Sequence, residues 1–415
     1  MNKKATLSSI ALLTIGAQCC NASDFALHGG DRVVFYGDSI TDNSPYTTFV
    51  ETYVLTRFPE LNVRYFNAGV GGDRVTGGWM GGVDQRLPRD LFSRRPTVVT
   101  VMLGMNDGSY RPFDQSIFDT YRTGFEHIVD EAKKKAPNAR LFLIKPSPFD
   151  DVTRDPSFPG GYNGVLRRYG ELVGELAQKN GYGAIDLNTP VVDMLTSAKE
   201  KDPATAAKII PDRVHPSAAG HLIMAEAILK SWNAPSLVSS TEIDAKTGAN
   251  HAENASVSNV KTGPALTWTS RENSLPFPLD RGNAETKLVL ASSDFDRALN
   301  QETLRITSLA DGKYKLSIDG TKVGDFSSGD LAEGINLAQW STPMNRQASD
   351  AFAITGDRTQ TRYFIWRQLE FSLGHMPAKE MNPSMNAFAK AEDELIRLQH
   401  AAAKPVPHQF ELIAE

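Results

Sequence analysis

The chain contains 415 residues, of which 40% are hydrophobic and 22% are charged. This composition is that of a globular protein, so it excludes collagen, a coiled coil and wholesale disorder. There are 44 Lys and Arg against 49 Asp and Glu, a formal net charge of -5. That balance argues against a nucleic-acid or membrane-surface partner, because both require a basic face. At about 100–200 residues per domain, the length predicts two or three domains.

Residues 1–22 show the pattern of a secretory signal peptide. Lys3 and Lys4 precede an apolar stretch that reaches about Ala17, too short to span a bilayer, and small residues lead up to Ala22. We therefore expect cleavage after Ala22 and a secreted or periplasmic protein with no stable membrane insertion. Both cysteines of the sequence lie inside this segment, so the mature chain would hold neither a disulfide nor a cysteine-based site.

Between residues 31 and 232, short apolar segments alternate with longer segments whose apolar residues recur at helical spacing. We predict strands at residues 32–36, 63–67, 98–103, 141–145 and 184–187. We predict helices at residues 45–57, 83–92, 114–135, 163–179 and 217–232. Such alternation is typical of βαβ units, and it predicts an α/β fold with a parallel sheet and helices on both faces. Ligands of such sheets bind beyond the carboxyl ends of the strands.

The pattern changes near residue 233, which we predict as the end of a first domain spanning residues 23–233. Residues 234–263 are rich in Ala, Ser, Thr, Asn and Gly, and we expect a linker or irregular segment there, the latter formed of irregular strands. Residues 264–415 show shorter strand and helix signals in mixed order. They are predicted to form a smaller, C-terminal α+β accessory region.

Three local signals define that accessory region. Asp319-Gly320 lies between two apolar segments and favours a tight hairpin turn, because both positions tolerate positive φ angles. Alternating side chains at residues 363–371 predict another strand. Apolar residues at helical spacing predict an amphipathic helix at residues 386–403.

Two glycine-containing motifs end the first two predicted strands. Gly-Asp-Ser-Ile-Thr places Ser39 on a strand-to-helix turn, where its hydroxyl is exposed and its backbone N–H can stabilise an oxyanion. A simple N-cap serine is the alternative. In Asn-Ala-Gly-Val-Gly-Gly-Asp, Gly72 lets the backbone approach a substrate oxygen closely, although an ordinary turn also fits. A dinucleotide-binding loop is disfavoured because Arg74 stands where its third glycine would be.

Two further motifs supply polar side chains. Gly-Met-Asn-Asp ends the third strand, and Asn106 could donate its amide to the same oxyanion, with an ordinary turn as the alternative. Asp-Arg-Val-His precedes the last predicted helix of this domain. There His215 can accept a serine proton, and Asp212 can hold the other ring nitrogen of His215. Taken alone, an Asp-x-x-His motif also fits a surface turn.

Together the four motifs, GDSIT, NAGVGGD, GMND and DRVH, resemble the four blocks of the SGNH (GDSL-type) hydrolases in order and spacing. The resemblance covers about residues 31–233, half of the chain. It implies a three-layer α/β/α sandwich with a parallel, flavodoxin-like sheet. The first block has Ile40 where the family name has leucine, a change that threatens no role.

The resemblance also implies a division of roles. Ser39 would be the nucleophile, and His215 the base that then protonates the leaving alcohol. Asp212 would hold the imidazole tautomer and stabilise the imidazolium. The backbone N–H groups of Ser39 and Gly72, with the amide of Asn106, would form the oxyanion hole. The mechanism would need no metal and no cofactor, and the other histidines show no ligand spacing.

By analogy with the family, we expect a secreted serine ester hydrolase that removes acetyl or other short acyl groups from carbohydrate. The partner would be a small-molecule or polysaccharide ester, and the sequence does not predict an oligomeric state. A lysophospholipase or short-chain lipase is the alternative. Less favoured are a non-catalytic glycan-binding protein, which would need none of the four motifs, and a metal phosphohydrolase. The ligands of the metal enzyme would be Asp38, Asn106, Asp107, Asp212 and His215.

Aromatic and thioether side chains after the strand ends are candidates to line the acyl or alcohol pocket, or else to pack in the core. They are Trp79, Met80, Tyr110, Phe113 and Tyr162. The accessory region is expected to modulate substrate access or polysaccharide attachment and to carry none of the chemistry. Its own aromatic residues either face sugar rings or form its core. They are Trp268, Phe277, Trp340, Tyr363 and Trp366.

Overall fold

The computed structural model describes residues 25–374, 376 and 378–415, without the side chains of residues 378 and 380. The predicted signal peptide and its cleavage site lie outside these residues. Among the helices that the structure describes, none is both long enough and apolar enough to cross a membrane.

A parallel sheet forms the centre of residues 25–233. The strands of this part are β1 (Arg32–Gly37), β2 (Arg64–Gly69), β3 (Gly77–Gly78), β4 (Gly81–Gly82), β5 (Val98–Met102), β6 (Arg140–Lys145) and β7 (Gly183–Asp186). Five of them form one sheet in the order β2-β1-β5-β6-β7, with every neighbouring pair parallel. This is the flavodoxin-like order, so the predicted fold class is confirmed. The short strands β3 and β4 pair separately.

Helices flank this sheet. They are α1 (Ser39–Asp42), α2 (Pro45–Arg57), α3 (Val83–Arg86), α4 (Gln115–Lys135), α5 (Gly161–Asn180), α6 (Asn188–Lys201), α7 (Pro203–Ile209) and α8 (Ala218–Ser231). A π-helical turn, Leu87–Leu91, follows α3. In α4 the buried side chains are Tyr121, Phe125, Ile128, Val129 and Ala132, which is the helical spacing read from the sequence. Helices α6 and α7 were not predicted.

The described residues after 233 form two more sheets and five α-helices. Its elements are β8 (Leu237–Asp244), β9 (Asn250–Glu253), β10 (Ala255–Lys261), β11 (Ala265–Glu272), α9 (Ala284–Ala291), α10 (Phe295–Leu299), β12 (Gln301–Thr307), β13 (Lys313–Ile318), β14 (Thr321–Ser327), α11 (Ser328–Glu333), β15 (Ile335–Asn336), α12 (Pro343–Phe364), α13 (Ala378–Ala402) and β16 (His408–Ala414). The sheet orders are β10-β11-β16-β13-β14 and β15-β12-β8-β9. The predicted hairpin is β13–β14, with φ of 51° at Asp319 and 73° at Gly320. The helix predicted at residues 386–403 corresponds to the C-terminal part of α13, which ends one residue earlier, at Ala402.

Of the two alternatives for residues 234–263, the structure has strands rather than a linker: these residues form β8, β9 and β10, and β8 pairs with β12 in parallel. That partner lies far along the chain, so composition alone could not reveal the pairing. The strand predicted at residues 363–371 was wrong: these residues end α12 and continue as a π-helical turn, Ile365–Phe371. Burial does not alternate there as it would in a strand, because Ile365, Trp366 and Arg367 are buried in succession.

The accessory region packs directly on the first domain. Side chains of α9 and α10 belong to the same buried cluster as the central sheet. Arg57, buried at the end of α2, donates from its guanidinium to the carbonyl oxygens of Pro235, Leu237 and Leu299 at 2.6–2.9 Å. A buried cation is costly unless its donors are satisfied, so these bonds hold the two parts together. Trp268, Phe277 and Trp366 are buried, as packing residues.

Candidate active site

Ser39 lies at the carboxyl end of β1, at the first position of α1. Asp38 caps this helix through Oδ1, which accepts a hydrogen bond of 3.0 Å from the Ile40 amide. A residue at the first position of a helix has no intrahelical acceptor for its N–H. The Ser39 amide is therefore available at the positive end of a short helix, on the same residue as an accessible hydroxyl.

Ser39, His215 and Asp212 form one hydrogen-bonded chain. Nε2 of His215 lies 2.7 Å from Oγ of Ser39, and Nδ1 of His215 lies 2.6 Å from Oδ2 of Asp212. Oδ1 of Asp212 accepts the backbone N–H groups of Val214 at 2.9 Å and of His215 at 2.7 Å. The Asp212 carboxylate thereby determines both the backbone turn and the direction of the imidazole ring.

The electrostatics of Asp212 favour its charged form. Partial burial alone would raise the pKa of Asp212, but the hydrogen bonds from the His215 amide, the His215 ring and the Val214 amide together lower it. The side chains of His215 and Asp212 are 36% and 55% exposed, so the chain of three residues opens to solvent. A carboxylate that stays ionised beside Nδ1 keeps the proton on that nitrogen and leaves Nε2 free to accept one.

Gly72 lies in the turn that follows β2. The turn is closed by a hydrogen bond of 3.1 Å from the Asp73 amide to the Val70 carbonyl, and Gly72 has φ of 73°. A residue with a Cβ is disfavoured at such an angle. At the start of the same turn, a Cβ on Gly69 would lie 2.2 Å from the Asp42 amide, so the turn can lie against α1 only without a side chain there.

Asn106 follows β5, on the other side of β1 from Gly72. Its Nδ2 donates to the Asp73 carbonyl at 3.0 Å, and its Oδ1 accepts from the Tyr110 hydroxyl at 2.9 Å. These two bonds determine which way the amide faces and leave the second Nδ2 hydrogen without an acceptor among the described residues. Because β2, β1 and β5 are neighbours, Gly72, Ser39 and Asn106 share one edge of the sheet.

Three buried carboxyl groups lie beneath this edge. Burial raises the pKa of Asp38 to about 7, that of Asp107 to about 7 and that of Asp73 to about 6. A neighbouring carboxylate adds to each effect: Asp107 and Asp73 act on Asp38, Asp73 acts on Asp107, and Asp90 acts on Asp73. Asp107 accepts the Val75 amide at 3.0 Å, and Asp73 pairs with the buried guanidinium of Arg86. The first contact joins the turn after β2 to the turn after β5, and the second joins the turn after β2 to α3.

The candidate pocket residues divide into two groups. Trp79 and Tyr110 are 64% and 43% exposed, whereas Met80 and Tyr162 are 2% exposed and serve as packing residues. Trp79 donates its indole N–H to the Gly71 carbonyl at 3.0 Å, so its ring stands beside the glycine turn. Phe113 is half-buried under the guanidinium of Arg168.

Three residues that support the site were not predicted from the sequence. Asp42, at the end of α1, accepts the Gly71 amide at 3.1 Å, and Arg213 anchors the DRVH turn by donating to Asp151 at 2.7 Å and to the Asp150 carbonyl at 2.9 Å. Arg213 has φ of 72°. Both residues are charged and lie inside or beside the motifs, a signal that could have been used. Arg367 of the accessory region, which contacts Asp42, gave no local signal.

Metal ligation finds no support in the side-chain arrangement. Within the described part of the chain, no three His, Cys, Asp or Glu side chains group as ligands for a metal ion. Of the five candidate ligands of a metal phosphohydrolase, Asp212 and His215 are hydrogen-bonded to each other. Asp107 is buried and accepts a hydrogen bond from a backbone amide.

Comparison with known proteins gives three findings. Residues 35–223 match the family model of the GDSL-like lipases and acylhydrolases. An acetylxylan esterase of Geobacillus stearothermophilus is 27% identical over 223 residues, 48% of this chain and 93% of that protein. The solved structure of a gut microbial diltiazem-metabolizing enzyme is 28% identical, with a TM-score of 0.81, and it covers 94% of this chain and 98% of its own.

The protein is a carboxylic ester hydrolase. Residues 35–223 form a domain of the GDSL-like lipase/acylhydrolase family, as the resemblance of the four motifs implied. The similarity to the diltiazem-metabolizing enzyme extends over the accessory region as well, so that region is shared with a relative of similar fold.

Proposed function

We propose that this protein is a secreted serine esterase that removes acetyl or other short acyl groups from carbohydrate through an acyl-enzyme. The observation that carries the proposal is the chain of hydrogen bonds from Ser39 Oγ through the His215 ring to Asp212. A hydroxyl so placed against a ring nitrogen can lose its proton as it attacks.

In the proposed reaction, Ser39 Oγ attacks the ester carbonyl carbon while His215 Nε2 accepts the hydroxyl proton. The ionised Asp212 stabilises the imidazolium that forms. The oxyanion of the tetrahedral intermediate accepts hydrogen bonds from the amides of Ser39 and Gly72 and from Asn106. His215 then donates its proton to the leaving alcohol, and water releases the acyl group from Ser39 by the same steps.

Two observations support a carbohydrate acetate as substrate. The relative from Geobacillus is named an acetylxylan esterase. The ring of Trp79 stands exposed beside the glycine turn, and aromatic faces of this kind suit the apolar faces of sugar rings. A small-molecule ester is the second candidate, because the relative that covers nearly the whole chain is named for diltiazem metabolism.

The test is a substrate panel in which the released acid is measured. It compares p-nitrophenyl esters of increasing acyl length, acetylated xylo-oligosaccharides, diltiazem and a lysophospholipid, with Ser39→Ala as the matched control. We expect hydrolysis of acetyl esters, with acetylated saccharides preferred over diltiazem. A preference for long acyl chains or for the lysophospholipid would contradict the proposed substrate.

Export is proposed from the first 22 residues alone, which lie outside the described part of the chain. N-terminal sequencing of the protein isolated from its native host is expected to begin at Ser23. An intact Met1 on the isolated protein would contradict export by this signal.

A further inference from the structure

We propose that Arg367, in the accessory region, is a positioning residue for the glycine turn that supplies the oxyanion hole. The inference rests on the proposed serine mechanism, and it assigns to residues 264–415 a part in that site. Arg367 does not touch the reacting atoms; it acts through Asp42 and the backbone of the turn.

The side chain of Arg367 reaches the first domain from the π-helical turn Ile365–Phe371 and is only 6% exposed. Its guanidinium donates to Oδ1 of Asp42 at 2.5 Å and to the Gly69 carbonyl at 3.1 Å, and it also contacts the sulfur of Met80. π-Helical turns are rare and often occur at functional sites. Here the π-helical turn places the buried guanidinium of Arg367 at the end of β2.

The contact continues through Asp42 into the glycine turn. Oδ1 of Asp42 accepts from Arg367, and Oδ2 accepts the Gly71 amide at 3.1 Å. Asp42 is also the last residue of α1, the helix that begins at Ser39. The Asp42 carboxylate therefore sets the distance between Gly71 and α1, the helix that begins at Ser39. Arg367 in turn holds this carboxylate in place.

A third contact acts on the same turn from the solvent side. Trp79 donates to the Gly71 carbonyl, and its ring lies 5.4 Å from the Arg367 guanidinium carbon. Phe371, four residues after Arg367, packs edge-on against Trp79 at 5.9 Å. The accessory region thus supports both the amide and the carbonyl of Gly71, and an oxyanion donor is effective only if it is held in place before the reaction.

The competing interpretation is that Arg367 only holds the accessory region against the first domain. A comparison with a second buried arginine, Arg358, can distinguish the two roles. Arg358 of α12 is as buried, with 5% of its side chain exposed, and it pairs with Glu51. It also donates to a carbonyl of β2, at Tyr65 (3.2 Å) rather than Gly69. Arg358 thus makes the same kind of link as Arg367, but near the far end of the strand from the glycine turn.

The experiment measures kcat and KM for p-nitrophenyl acetate in R367Q, R367K, D42N and the matched control R358Q. We expect R367Q and D42N to lower kcat about 10- to 100-fold with KM changed less than about threefold, since an oxyanion donor acts mainly in the transition state. Inhibition by phenylboronic acid, which forms a tetrahedral adduct, should weaken by the same factor. R367K should retain intermediate activity, because its ammonium keeps the charge and can donate to Asp42, but it lacks the second guanidinium nitrogen, which contacts Met80.

The control and the double variant decide the outcome. R358Q should lower thermal stability as R367Q does but leave kcat within about twofold, and the R367Q/D42N variant should lose no more activity than the worse single variant. Equal kcat losses in R358Q and R367Q, or additive losses in the double variant, would overturn the inference. If R367Q does not fold, D42N with unchanged kcat would also overturn it. Activity in Ser39→Ala would instead refute the proposed function itself.

Discussion

Nε2 of His215 lies 2.7 Å from Oγ of Ser39, although the two residues are 176 positions apart in the chain. The contact exists because both residues lie at the same end of the parallel sheet. Ser39 lies just after β1, and His215 lies shortly before α8. Nothing in either local sequence sets this distance. It depends on the packing of α8 against the sheet, with Ile223, Ala225 and Ile228 buried in the common core.

We predict that Asp212→Asn lowers kcat by about 10²–10⁴-fold while the protein remains folded, because an amide cannot stabilise the imidazolium and favours the wrong tautomer. The double variant Ser39→Ala with Asp212→Asn should be no less active than Ser39→Ala alone, since such residues act as a unit. Steady-state kinetics on p-nitrophenyl acetate measure both. An Asp212→Asn enzyme within about threefold of the parent would argue against this role.

We predict that Asn106→Ala lowers kcat by about 10²–10³-fold, the usual cost of removing one oxyanion donor. Tyr110→Phe removes only the hydroxyl that holds Oδ1 of Asn106, so its effect on kcat should be in the same direction and smaller. Thermal unfolding of both variants serves as the control. A larger loss in Tyr110→Phe than in Asn106→Ala would contradict the assignment of the donor.

We predict that Trp79→Ala raises KM for acetylated xylo-oligosaccharides more than KM for p-nitrophenyl acetate. Its ring is 64% exposed beside the glycine turn and would contact a sugar. Trp79→Phe retains a ring and should keep part of the affinity. Phe364→Ala, at an aromatic residue 45% exposed in the accessory region, is the matched control. Equal effects of Trp79→Ala on both substrates would rule out a sugar platform.

We predict that Glu226→Gln stabilises the protein at alkaline pH. Burial, with the neighbouring Asp294, raises the pKa of Glu226 to about 8 from 4.5. Between these values the unfolded chain releases the proton while the folded chain keeps it, so the free energy of unfolding falls as pH rises, by at most about 1.4 kcal/mol per pH unit. A glutamine at this position does not titrate.

Chemical denaturation at pH 5 and pH 9 tests this. The stability gain of Glu226→Gln over the parent should be larger at pH 9 than at pH 5. Glu175→Gln, at an exposed position of α5, should show little difference between the two pH values. A gain that is the same at both pH values would show that Glu226 does not titrate with a raised pKa.

The sequence predicted those features that local patterns encode. Alternating apolar and amphipathic segments identified the parallel sheet, and four motifs identified the residues brought together at its edge. The missed features depend on contacts between distant segments. Strand β8 lies between its sequence neighbour β9 and the distant strand β12, so a local pattern could indicate only one of its two partners. The π-helical turn, which was predicted as a strand, has Trp366 and Arg367 buried against Asp90 and Asp42 of the first domain.

The most direct test of the account is covalent labelling by a fluorophosphonate, followed by peptide mass spectrometry and an activity assay. We predict one adduct per chain on Ser39, loss of esterase activity in proportion to labelling, and no adduct in the Ser39→Ala variant, because only a serine activated by a neighbouring base reacts at neutral pH. Full activity in protein labelled at Ser39, or full inactivation with Ser39 unmodified, would contradict the assignment of Ser39 as the nucleophile.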